Sequence, residues 1–151
     1  MHGNNSLEKD DHIIRKAEKR IAGIVLMDQF LNIFFFMFHT VFILFVLFGW
    51  IWKKARTVHL TALVATALSW FGLGIFYGLG YCFCTDWHWD IRYRLGYAEM
   101  PRSYITFLIS TVTGVDLNDD FVDVVTVAAF LGVFALAIYL AILKRNRDNL
   151  T

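Results

Sequence analysis

The chain has 151 residues, 58% of them hydrophobic and 18% charged, with a net charge of +1. A soluble domain of this size carries more charge, and a near-neutral balance provides no global field to attract nucleic acid. No phosphate-binding glycine loop, dinucleotide fingerprint or nucleophile elbow occurs, so the common nucleotide-binding and hydrolase classes are excluded.

Residues 1–28 form an N-terminal segment. From Glu8 to Met27, Ile13, Ile14, Ala17, Ile21 and Ile24 recur at spacings of three and four, while Lys16, Lys19 and Arg20 help cover the other face. This pattern predicts an amphipathic helix lying in the headgroup region. Asp28 stands where an N-cap for the next helix is expected.

Residues 29–147 form the membrane domain, and 148–151 a short tail. Gln29 to Trp52, Thr57 to Thr85 and Val124 to Leu143 contain no Asp, Glu, Lys or Arg. A helix crosses the hydrocarbon core in roughly 20 apolar residues. Barrel strands alternate polar and apolar residues, which runs such as Ile33-Phe34-Phe35-Phe36 do not. The prediction is therefore an all-α integral membrane protein with transmembrane helices at about 29–52, 58–83 and 122–143. The short basic turn Lys53, Lys54, Arg56 makes the first two antiparallel neighbours. Gly74 and Gly78 in the second helix, and Ala128 and Gly132 in the third, form small-xxx-small pairs at which backbones are expected to touch.

Cys84 to Asp120 reads as one loop carrying a short apolar helix over 103–113, too short to span, with Asn118 or Asp119 capping the last span. Lysine and arginine collect in the Lys53 turn and the C-terminal tail, while the long loop is richer in acids. The positive-inside rule then puts the C-terminus in the cytoplasm, against the opposing pull of Arg15, Lys16, Lys19 and Arg20.

Five histidine and cysteine positions stand out. His39, inside the first apolar run, is a costly group to bury, and its simplest partners are Thr66 or Ser69 of the second helix. His59 begins the second helix, and helical rise puts it too far from His39 in depth for the two to share one haem or metal. Cys82, Cys84, Asp86 and His88 alternate, so an extended backbone would aim all four metal-binding types at one face. Zinc sites use wider cysteine spacing and a second ligand pair, so the expectation is no cofactor, with these four as weak metal candidates. Trp87, His88 and Trp89 are instead candidates for docking a partner at the membrane boundary.

His39, His59, Gly80, Cys82, Thr85, Arg92 and Gly96 occur in an order that resembles a family of small bacterial inner-membrane proteins of unknown function. The resemblance covers roughly residues 29–147, including the apolar stretch from Ser103 to Gly114. That family has a Cys-Pro-Leu-Thr-like motif after its second helix, whereas this chain reads Cys82-Phe83-Cys84-Thr85. The resemblance implies a multi-pass protein of the bacterial inner membrane and brings no activity with it. The expected role is an accessory or assembly subunit, non-catalytic, contacting the lipid bilayer and other membrane subunits or further copies of itself. The alternative is a small metal-binding or redox protein using the Cys82–His88 segment.

Overall fold

The computed structural model describes the backbone of residues 4–78 and 80–148, and side chains over 11–78 and 80–146. The described residues form helices joined by short connections, with no strand. Helix α1 spans Asn4–Phe48, α2 Arg56–Ala67, α3 Gly74–Tyr77, α4 Phe83–Arg94, α5 Tyr104–Thr113 and α6 Asp119–Asp148. A π-helical turn, Leu68–Leu73, joins α2 to α3. Three stretches, Asp11–Ile51, Lys53–Tyr77 and Asp119–Asn146, are long and apolar enough to cross a membrane. In each, only 11% of the most apolar window is buried within the chain, so lipid or a neighbour must cover the remainder.

Helix α1 corrects the expected boundary at Asp28. Residues 4–48 form one uninterrupted helix of 45 residues, with no cap at Asp28. Nothing in the sequence there breaks a helix: proline is absent, and Leu, Met and Gln continue it readily. Every residue from Asp11 to Met27 is exposed, whereas Asp28 is buried.

The bundle core lies toward the Lys53 turn. Val46, Leu63, Phe130 and Ala137 meet there, with Phe42, Leu60, Trp70 and Phe134 packed around them. The tilted rings of Trp70 and Phe130, 5.0 Å apart, join the second span to the third. His59 fixes the turn: its Nε2 lies 2.8 Å from the Val46 carbonyl, and its ring packs edge-on to Phe45. Gly49 admits that imidazole, since a Cβ there would stand 2.5 Å from His59 Cδ2.

The second span ends at Tyr77, earlier than the expected Phe83. Gly78 adopts φ 103° and Gly80 φ 84°, conformations that side chains disfavour, and the chain reverses. The Ser69 hydroxyl donates to the Tyr81 carbonyl at 2.9 Å. Ser69 lies eight residues before Tyr77, so Tyr81 has folded back roughly 12 Å alongside the helix it left. Phe83 then opens α4, so the expected single loop is an inward extended segment followed by an outward helix. The short apolar helix is present as α5: the Ser103 hydroxyl caps it by accepting from Thr106 N–H, and Gly114 ends it at φ 70°. Asn118 caps α6 by accepting from Phe121 N–H at 3.1 Å.

The small-residue pairs divide. Gly74 is buried, but Gly78 is an exposed helix terminus with open space where its Cβ would be. Ala128 and Gly132 are exposed, and nothing lies within 4 Å of a Cβ at Gly132. Within this chain these three make no close helix contact, because α6 presents Phe130, Val133, Phe134 and Ala137 to the core instead.

A candidate buried histidine–thiol site

Three polar pairings join α1 to α4. Arg94 grips Asp28 with two hydrogen bonds, Nη2 to Oδ1 at 2.7 Å and Nε to Oδ2 at 3.0 Å. His88 Nε2 lies 2.8 Å from Asn32 Oδ1. His39 Nε2 lies 3.3 Å from Thr85 Oγ1 and 3.7 Å from Cys82 Sγ. The pairs advance along α1 as they retreat along α4, so the two helices run antiparallel. On α1 the spacing of four and seven residues keeps Asp28, Asn32 and His39 on one face.

His39 stands midway along the uncharged Gln29–Trp52 run, roughly 15 Å from Gln29 by helical rise. Its expected partners on the second helix are otherwise engaged. Thr66 donates to the Ala62 carbonyl and Ser69 to that of Tyr81. His39 meets the start of α4 instead, because the chain folds back after Tyr77. Cys82 is the N-cap residue, with an extended backbone and no side-chain cap bond. Its thiol therefore stands at the end of α4 where backbone N–H groups are unpaired and the helix dipole is positive.

Aromatic rings close the site. Tyr104 of α5 stacks on His39 with centroids 4.1 Å apart, and its hydroxyl donates to the Phe36 carbonyl at 3.1 Å. His88, with no exposed surface, is stacked between Phe35 and Trp89. Phe107 meets the rings of both His88 and Trp89 edge-on. The Arg92 guanidinium covers Tyr97 at 4.1 Å and Phe107 at 4.6 Å. Among the described residues, His39 Nδ1, His88 Nδ1 and Arg92 Nε are buried with no hydrogen-bond partner. A buried imidazole nitrogen left unpaired costs free energy.

Both cysteines are free and half-buried. Burial, reinforced by the adjacent Cys82, pushes the Cys84 thiol up to about 11. The expected alternation of Cys82, Cys84, Asp86 and His88 is not an extended face, since Phe83–Arg94 is helical. Asp86 turns outward to accept from the Tyr81 hydroxyl at 3.1 Å, while His88 turns inward to Asn32. Among the described residues, no three His, Cys, Asp or Glu side chains converge tightly enough to hold a metal ion. The docking triplet is also divided: Trp87 is exposed, Trp89 is half-buried against Tyr104, and His88 is inaccessible. His59 lies apart, in the turn at the far end of the first span.

Asn32, Thr85, Tyr104 and the Asp28–Arg94 pair complete the site without having been singled out from the sequence for it. Polar side chains at helical spacing in and beside an uncharged run were the available signal for Asp28 and Asn32. Nothing in the sequence marks Tyr104 as the ring that covers His39.

Residues 29–142 match a family described as a protein of unknown function, DUF2784, and the chain belongs to that family. No curated protein and no solved structure matches the chain significantly.

Proposed function

We propose that this family member is a small membrane redox protein whose working part is the buried His39–Cys82 centre. The observation that carries this reading is the 3.7 Å approach of His39 Nε2 to Cys82 Sγ at the start of α4. An imidazole there receives the thiol proton, and the helix N-terminus stabilises the negative charge that develops on sulfur. Base action by His39 requires the Nδ1–H tautomer, in which Nε2 is free to accept from Cys82; the contacts to Cys82 and Thr85 fit either tautomer. The test is the alkylation rate of Cys82 by a lipid-soluble maleimide in a Cys84→Ser background, in proteoliposomes. His39→Gln is expected to slow the reaction and flatten its pH dependence. An unchanged rate and profile would remove His39 as the base.

A second reading, an accessory or assembly subunit of a larger membrane complex, is favoured by a different observation. Residues 11–27 of α1 are exposed throughout, as are Ala128 and Gly132 on α6. These surfaces suit neighbouring helices or further copies of the chain, as well as lipid. Affinity purification in mild detergent tests it, with a stoichiometric co-purifying chain as the expected result. For location we propose the bacterial inner membrane with the C-terminus in the cytoplasm, where the Lys53 turn and Lys144 share one side. Reporter fusions at both ends test the orientation.

A further inference from the structure

We propose that Arg92 binds the phosphate of an amine-bearing phospholipid where the end of α4 meets the headgroup layer.

Three arginines, Arg92, Arg94 and Arg102, lie between the second and third spans. Arg94 is paired with Asp28, and Arg102 with Asp120 and Asp123. Among the described residues, no carboxylate pairs with Arg92, and its Nε has no acceptor. The ionisable groups around it are Tyr97, Tyr104 and His88, with no acid among them. Asp90, two residues away, acts on Arg94 instead.

The backbone at the end of α4 builds a seat for this cation. Gly96, at φ 91°, donates its N–H to the Tyr93 carbonyl, and Tyr97 N–H donates to the Arg92 carbonyl. This Schellman pattern turns the chain back and sets Tyr97 against Arg92. The guanidinium lies 4.1 Å from the Tyr97 ring centroid and 4.6 Å from that of Phe107. The two rings fix its position, but they meet few of the five N–H donors a guanidinium carries. Nε is enclosed while the residue as a whole is half-buried, which leaves the terminal Nη groups to carry a ligand contact.

Depth selects the ligand. Arg94 pairs with Asp28 of α1 and His88 with Asn32, so Arg92 lies between those levels. That is within roughly 6 Å of the start of the uncharged run at Gln29. Asp90, Tyr93 and Tyr97 are exposed at this end of α4. A carboxylate and two phenols suit the headgroup layer rather than hydrocarbon. Phosphates fill that layer, and a guanidinium bonds them through charge-assisted N–H contacts. The exposed carboxylates of Asp90 and Glu99 repel a net-negative headgroup, so the phosphate that fits is one balanced by an amine.

The test uses the full chain, stripped of lipid in dodecyl maltoside and titrated with dioleoylphosphatidylethanolamine, with native mass spectrometry counting bound lipid. The expected result is one tightly held lipid per chain. Arg92→Gln should weaken it roughly tenfold or more, whereas Arg102→Gln, which removes a cation already paired with two carboxylates, should leave it unchanged. Wild-type protein alone supplies further arms: monogalactosyl diacylglycerol, which lacks phosphate, should not be held, and phosphatidylglycerol should bind more weakly. Equal retention of the galactolipid, or equal lipid binding by wild type and Arg92→Gln, would overturn the proposal, as would equal loss in both arginine variants. Displacement of the lipid by inorganic phosphate would reassign the site to a free anion, and tighter binding of phosphatidylglycerol would overturn the amine-bearing headgroup.

Discussion

Alanine at Gly49 should damage the turn between the first two spans, because a Cβ there would stand 2.5 Å from His59 Cδ2 and 3.1 Å from the Phe45 ring. His59 has 1% of its surface exposed, so it has little room to withdraw. Reaching ordinary contact takes a retreat of about 0.9 Å in a close-packed interior. That movement strains the 2.8 Å hydrogen bond to the Val46 carbonyl, whose loss costs about 1 kcal/mol. Overpacking of this kind typically costs about 1–3 kcal/mol. The assay is reversible unfolding in mixed micelles, followed by near-ultraviolet circular dichroism. Gly132→Ala is the control, since nothing lies within 4 Å of its Cβ position. Equal stability of Gly49→Ala and the wild-type protein, or equal damage from both substitutions, would refute this account of the turn.

Arg94→Gln should destabilise more than the double variant Asp28→Asn/Arg94→Gln, because the single change leaves a buried carboxylate facing no cation; a double-mutant cycle on unfolding measures it. Gly78→Ala should cost about 1–3 kcal/mol through its φ of 103° and ψ of 145° rather than through lost helix contacts, so Leu at the same position should cost little more than Ala. His88→Phe should lower stability less than His88→Ala, since the ring fills a stacked, fully buried slot; thermal unfolding of both variants checks the order.

The three long apolar helices were legible because an uncharged run of that length has few alternatives. Their internal arrangement was less so. Asp28 has the chemistry of an N-cap, and only the tertiary pairing with Arg94, 66 residues away, makes its place inside a helix favourable. The fold-back after Tyr77 has local signals in Gly78 and Gly80, yet glycines loosen a helix end equally well. His39 declared itself as a costly buried group, but its partners lie 43 and 46 residues onward, one at the end of the expected second helix and one at the start of the expected loop. Alternation of Cys82, Cys84, Asp86 and His88 suggested an extended face. The competing helical spacing of Thr85, His88, Ile91 and Leu95 was present in the same residues and is the one the chain follows.

The account turns on Cys82 sitting beside His39 inside the bilayer rather than on an exposed loop. Thiol accessibility in sealed proteoliposomes, with Cys84→Ser leaving Cys82 as the single thiol, measures this most directly. A lipid-soluble maleimide should label Cys82, while a charged, membrane-impermeant maleimide applied from either side should leave it unlabelled. Prompt labelling by the impermeant reagent from one side would place Cys82 in water and contradict the buried centre.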